Sequence, residues 1–232
     1  MRLSGPWHRL RAMRWLIWAC LSLVSVAAAA QSGSYEQFFT AIQRDDARTV
    51  QRLHARGFDL NSPSPELQPP LFLAIRNDSL KVAQYLVGQP EVDVNALSTT
   101  DETPLMLAAI RGHLDLVKAL TARGAQVNRP GWTPLHYAAS HDGPNAEVIT
   151  AWLLEHHAFI DAESPNGTTP LMMAAMYGLS DVVDLLLREG ADPHARNQQG
   201  LTATDFAQRA DRPRVAEAIA QVIRQRNGTG RW

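Results

Sequence analysis

The sequence predicts an all-α solenoid of about six stacked helix-turn-helix units joined by hairpin-like loops, and three observations carry that reading. The tripeptide Thr-Pro-Leu occurs at Thr103, Thr133 and Thr169. Its prolines, with Pro70 upstream and Ala203 in the matching place downstream, are separated by 34, 30, 36 and 33 residues. Each opening is followed by a pair of small or apolar residues (Ala74-Ile75, Ala108-Ala109, Ala138-Ala139, Ala174-Ala175), a turn, a second apolar run and an ending like Gly-Ala-Asp. Self-similarity near this period marks an architecture in which each unit buries its apolar face against its neighbours.

Two copies run without gaps, from Thr103 to Asn128 and from Thr169 to His194. In this form the unit resembles the ankyrin repeat. The residue types recur for physical reasons. Thr169 caps the first helix with its hydroxyl, and Pro170, which has no N–H to leave unpaired, stands at the first helical position. Ala174 and Ala175 let the neighbouring helix approach closely. Gly178 reads as the turn between helices, and Val182, Leu185 and Leu186 give the second helix one apolar stripe. Gly190 takes the left-handed conformation that ends it, and residues 192–200 form the loop into the next unit.

The elements follow in order. Residues 1–30 stand outside the repeat: Arg2, Arg9, Arg11 and Arg14 precede an apolar run from Trp15 to Val26 and then Ala28-Ala29-Ala30. This reads as a secretory signal peptide cleaved before Gln31. Initiation at Met1 or at Met13 serves the same cleavage site. The run falls short of the roughly 20 apolar residues that cross a bilayer, which disfavours the alternative of a retained anchor. A lipid-modified Cys20 is a second alternative, opposed by bulky Trp18 where a small residue is usual.

The repeat domain covers 31–226, with units at approximately 35–68, 69–102, 103–132, 133–168, 169–201 and 202–226. The first unit is degenerate, with Ala41-Ile42 for the small pair, Asp45 in the turn and no Thr-Pro opening. The last puts Ala203 and Thr204 where Pro and Leu are expected and scatters arginines over its second helix. Such atypical ends suit caps that face water. Pro90 and His157 replace the glycine that ends a second helix, so distortion is expected at both. The loop after Asn128 is short by three residues, and 141–145 adds three between the helices of the fourth unit. Residues 227–232 read as a short polar tail.

Composition narrows the function. All 23 acidic residues lie after residue 30, against 18 of the 22 basic ones, so residues 31–232 carry a net charge of −5. That disfavours a phosphate-backbone binder, and no nucleic-acid partner is expected. Only Lys81 and Lys118 are lysines; the arginine bias suggests a GC-rich bacterial genome. Past Cys20 there is no cysteine, hence no disulfide, reactive thiol or Cys-ligated metal, which is compatible with export.

No enzyme is expected. Ser140-His141-Asp142 sets the three triad residue types side by side, but neighbours on a helix point about 100° apart and do not converge. Glu155-His156-His157 with His136 and His141 suggests a metal cluster only by composition, and neither metal nor cofactor is expected. The resemblance implies instead that His136 joins a structural hydrogen-bond network. No phosphate-cradling glycine loop is present. Asn166-Gly167-Thr168 and Asn227-Gly228-Thr229 match glycosylation acceptors formally, though the first reads as a loop tip.

The resemblance implies recognition of another protein through the concave surface built by loop tips and first helices. Carried over residue by residue, it places Arg76, Arg111, Trp132, Tyr137, His141, Met173, Met176 and Tyr177 on that surface. Aromatics, methionine and arginine are enriched at interface centres. The competing reading has Met173 and Tyr137 packing between adjacent inner helices, and Trp152 is assigned to the core. The expected protein is a monomeric, non-enzymatic adaptor in the periplasm, with no membrane insertion after signal cleavage. The alternative is a secreted virulence or immunity factor acting on a host or rival-cell protein.

Overall fold

The structure, a computed structural model, describes residues 33–229. The predicted signal peptide at 1–30 lies outside them. Helix α1 runs through 33–43, followed by α2 Ala47–His54, α3 Pro70–Arg76, α4 Leu80–Val87, α5 Pro104–Ile110, α6 Leu114–Ala122, α7 Pro134–Ser140, α8 Ala146–Glu155, α9 Pro170–Met176, α10 Ser180–Arg188, α11 Ala203–Arg209 and α12 Pro213–Thr229. Odd-numbered helices stack on one another as an inner layer and even-numbered helices as an outer one. Among the described residues there is no strand; four of the five loops between units instead close as a tight turn, with Ser64, Ser98, Ser164 and Asn197 donating their N–H to the carbonyls of Gln68, Glu102, Thr168 and Leu201, and the shortened loop at 123–133 does not. Helix α12 continues through 227–229, part of the segment that the sequence assigned to a tail.

The inner helices begin where the sequence places them. Thr103, Thr169 and Thr202 accept from the backbone N–H three residues on, at 3.2, 3.4 and 3.4 Å, and Pro104, Pro134 and Pro170 occupy the first turn. Every residue from Pro104 to Ala109 is buried, because α5 is gripped on both sides by α3 and α7. In α7 and α9 the same stretch is buried except at Tyr137 and Met173, the fourth position of each opening counted from its proline. That position looks out of the inner layer onto the concave side.

The outer helices bury an apolar stripe, and in α10 its centre differs from the sequence reading. Val182, Val183, Leu186 and Leu187 belong to the C-terminal core cluster, which also holds Leu171, Met172 and Ile219. Leu185 is buried but stands on the flank of the stripe, outside that cluster. Gly178 also serves a different purpose. Its φ is not positive; a Cβ there would lie 2.1 Å from the Ala139 carbonyl oxygen, so glycine permits α9 to close on α7.

The two replaced glycines behave differently. His157 adopts φ 65°, the left-handed conformation itself, and the Ala158 N–H still reaches the Leu153 carbonyl at 2.9 Å, as Ala125 reaches Leu120 and Ala191 reaches Leu186. No distortion results there; the non-glycine residue bears a local cost of about 1–2 kcal/mol instead. At Pro90 the closing pattern is broken, because the proline ring holds φ negative and excludes the left-handed turn that would bring the Glu91 N–H to Leu86. The carbonyls left at the end of α4 are met from the next unit. Arg123 donates to the carbonyls of Val87, of Gln89 at 2.7 Å, of Pro90 at 3.2 Å and of Val92 at 3.3 Å. Arg212 does the same for Ala174 and Ala175, and Arg226 for Leu187 and Ala191.

A ladder of side chains joins the loops after successive outer helices. Asn61, Asn95 and Asn128 each accept one backbone N–H from the next unit and donate their amide to one of its carbonyls, those of Glu91, Gly124 and His157. Asp161 holds the fourth place, accepts from the Asp192 N–H at 3.0 Å and has no N–H to give. Desolvation raises its pKa and outweighs the Asp192 N–H, which lowers it, while the Asp192 carboxylate adds to the rise. A carboxyl whose pKa is raised on folding costs stability as pH rises from its ordinary value, and in full above the raised one. Asp161→Asn is therefore expected to stabilise the protein at pH 7 by about 1 kcal/mol, through the missing hydrogen bond and the removed charge. Chemical denaturation of both forms checks this; equal or lower stability contradicts the ladder.

Candidate functional site

Units three to five enclose an open concavity of about 520 Å³ lined by Ile110, Trp132, His136, Tyr137, Ser140, Asp142, Met173 and Tyr177. The repeat geometry explains the set. Tyr137 and Met173 stand at the outward position of α7 and α9, Ile110 and Ser140 end α5 and α7, and Tyr177 caps α9. Trp132 precedes the cap of α7, and its ring meets the His136 imidazole edge-on at 5.2 Å. Tyr177 is 56% exposed, an aromatic ring held in water.

Of the eight residues expected on this surface, Trp132, Tyr137, Met173 and Tyr177 are brought together and Arg76, Arg111, His141 and Met176 are not. Arg76 is exposed at the end of α3. Arg111 ties the third unit to the second, donating to Asp78 and to the Arg76 carbonyl, both at 2.9 Å. His113 joins it on Asp78, also at 2.9 Å. The His141 ring turns beneath the insertion and lodges against Gly112 and Gly143, where a Cβ would lie 2.4 and 2.5 Å from it. Burial lowers its pKa. Met176 is half-buried at the end of α9.

Tyr137 satisfies both sequence readings, since its ring packs against the core cluster and also lines the concavity. Its hydroxyl donates to Glu102 Oε1 at 3.0 Å, and Glu102 Oε2 accepts from the Thr100 hydroxyl at 2.7 Å. Burial raises the phenol's pKa, and the Glu102 carboxylate raises it further, so the group remains a neutral donor. Beside it Arg129 contacts both Asp101 carboxylate oxygens, at 3.0 and 2.9 Å.

His136 is fully buried. Thr133 donates its N–H and hydroxyl to Nδ1 at 3.2 and 2.8 Å, and Nε2–H donates to the Thr168 carbonyl at 2.9 Å. Burial pushes its pKa down to about 4. The triad-like run does not converge: Ser140 donates to the His136 carbonyl at 2.8 Å, and the His141 ring lodges against Gly112 and Gly143. Trp152 is corrected from core to half-buried. It lies across the outer layer with its indole N–H on Thr121 at 3.1 Å, the His156 ring stacked at 4.2 Å and the Lys118 ammonium 5.1 Å from the ring centre. Among the described residues no group of three or more His, Cys, Asp or Glu side chains is placed to hold a metal, and no helix is long and apolar enough to cross a membrane.

Ile110, His136, Ser140 and Asp142 were missed as lining residues. Asp142 sits on the insertion of the fourth unit, where a repeat pattern gives no position to compare; the insertion itself was the available signal.

Comparison with known proteins gives the same architecture. The family described as Ankyrin repeats (3 copies) matches residues 38–131, 126–197 and 145–222. The chain is 31% identical over 148 residues to YahD, an ankyrin repeat protein of Escherichia coli (strain K12), covering 61% of this chain and 73% of that one. It is 32% identical over 166 residues to the ankyrin repeat protein FPV031 of fowlpox virus (strain NVSL), covering 66% of this chain and 48% of the viral protein. A chain of the solved complex of the Bd0816 predatory endopeptidase from Bdellovibrio bacteriovorus with immunity protein Bd3460 superposes with a TM-score of 0.69 at 26% identity, covering 80% of this chain and 97% of that chain. The stacked units, their Thr-Pro caps and these matches together make the chain a member of the ankyrin-repeat family, whose repeats form protein–protein interaction modules.

Proposed function

We propose that the chain is a non-enzymatic adaptor of the bacterial periplasm that binds another protein through the concave face of its third, fourth and fifth units. The observation that carries this is the concavity itself. Three aromatic side chains and Met173 meet there, and the Tyr177 ring is left largely in water although the core beside it is fully packed. Large aromatics in a concave patch are the residues that dominate binding energy at protein interfaces. The basic, apolar and small-residue order of residues 1–30 supports export. A second reading, an immunity factor that restrains an exported enzyme, is favoured by the likeness to a chain solved in the endopeptidase–immunity protein complex.

Affinity capture with tagged residues 31–232 tests the proposal, using the osmotic-shock fraction and the culture medium separately. A protein enriched from the shock fraction by wild type, and lost with a folded Trp132/Tyr137/Tyr177 alanine triple variant, is the expected result. Tyr177→Ala alone is expected to leave the thermal transition nearly unchanged and to weaken capture about tenfold, the effect of a typical interface anchor. Enrichment that the triple variant retains overturns the concave site, and native chain found only in the medium overturns the periplasmic assignment.

A further inference from the structure

Resting on the concave face as the protein-binding surface, we propose that this concavity receives an arginine side chain of the partner, its guanidinium flat against the aromatic walls and paired with Asp142. The walls are apolar and aromatic, but the cavity is not neutral. Asp142 lines it and, among the described residues, makes no hydrogen bond or ion pair. It is carried by residues 141–145, an insertion the repeat does not need, and the insertion is pinned in place. The His141 ring lodges against Gly112 and Gly143, and the Asn145 amide donates to the Gly112 carbonyl at 2.8 Å.

The charges around the cavity leave that carboxylate uncompensated. Arg111, next to the lining residue Ile110, is held by Asp78, and Arg129, beside Tyr137, is held by Asp101. Both nearby imidazoles have lowered pKa values, His136 down to about 4 through burial and His141 because burial outweighs the pull of the Asp142 carboxylate, and both are neutral near pH 7. Glu102 adds a second carboxylate behind Tyr137. The arginine-lined part of the concave surface thus stays outside this cavity, and residues 31–232 carry a net negative charge.

A cation over tryptophan and tyrosine faces gains from the ring quadrupole. Guanidinium suits the walls better than ammonium, because it is planar, weakly hydrated and able to stack while its edge pairs with a carboxylate. An apolar side chain filling the same space would strip water from Asp142 and give nothing back.

The probe is the blocked peptide Ac-Gly-Ser-Arg-Ser-Gly-NH2, compared with its lysine and citrulline counterparts and titrated into the whole chain. The readout is the Trp132 indole N–H resonance, identified by its absence in Trp132→Phe. The expected result is a saturable shift with the arginine peptide at millimolar concentration. Citrulline, which keeps the shape and loses the charge, should bind at least tenfold more weakly. Asp142→Asn, checked by an unchanged melting curve, should reduce arginine-peptide binding by a similar factor. Citrulline binding as well as arginine, lysine binding as well as arginine, or Asp142→Asn binding like wild type each overturns the proposal, as does the absence of any saturable shift. Capture of a partner that the alanine triple variant loses and Asp142→Asn keeps overturns it too, while leaving the concave protein-binding site standing.

Discussion

Leu186→Asp is expected to unfold the fifth and sixth units at 25 °C while the first three remain folded at a lowered melting temperature. Leu186 is fully buried in the cluster that joins α9 and α10 to α11 and α12. Truncating a buried leucine alone costs about 2–5 kcal/mol. A carboxylate in its place adds the cost of an unpaired buried polar group, against a total stability of about 5–15 kcal/mol for a whole domain. In a solenoid that loss falls first on the unit carrying it and on its neighbours. The core is divided accordingly. One buried cluster runs from Phe38 to Ala158 and another from Ala139 to Ile219, and the two overlap only within the fourth unit. Hydrogen exchange with mass spectrometry is the suitable readout, since it resolves local opening. Protection should vanish over α9–α12 and persist over α3–α6. Uniform loss along the chain contradicts this division, and a wild-type melting curve contradicts the placement of Leu186. Leu185→Asp, on the flank of the stripe, is expected to cost less.

The architecture was legible because the residues that define it act locally. A threonine cap, a first-turn proline and a left-handed glycine each do their work within one unit, so repetition shows them. The half of the concave lining set by repeat position was legible for the same reason: Tyr137 and Met173 share one register, and both line the concavity. The rest depends on where a side chain goes after leaving the repeat. His141 was expected on the surface, but glycine at 112 and 143 opens a slot beneath the insertion, and the ring fills it. Arg111 was expected to face a partner, yet Asp78 of the preceding unit lies within reach of its fork.

Arginine use shows the same limit. As a bias over lysine it suggested genome composition, whereas the structure gives many arginines a mechanical task. Arg123, Arg212 and Arg226 each donate to two or more carbonyls of an earlier unit. Arg123 and Arg226 spread these bonds over both terminal nitrogens of a planar fork, a reach that one ammonium nitrogen does not have. Nothing in the linear sequence pairs Arg123 with Pro90; the pairing arises because stacking brings one unit's second helix over the preceding unit's helix end.

Acid is expected to weaken the protein between about pH 6.5 and 4, and His136 is expected to dominate that loss. Its folded pKa lies near 4 against an ordinary 6.5, because burial disfavours the charged ring. In that interval the unfolded chain binds a proton that the native ring refuses, so stability falls with pH. The full contribution, about 3 kcal/mol, is present above 6.5 and lost by 4, with about 2 kcal/mol gone at pH 5. His141, also lowered, acts in the same direction, while the lowered carboxyls of Asp46, Glu66 and Asp205 act at still lower pH. The protein supplies its own control. Met106 and Met172 stand where His136 does in the adjacent units, and their sulfurs accept the threonine N–H at 3.3 and 3.4 Å. His136→Met therefore keeps the cap and removes the titrating group, losing the donor to the Thr168 carbonyl at a cost of about 1–2 kcal/mol. Urea denaturation should find the variant weaker at pH 7.5 and equal or stronger at pH 4.5. Parallel curves for the two forms would assign the acid sensitivity to other groups and remove His136 as its source.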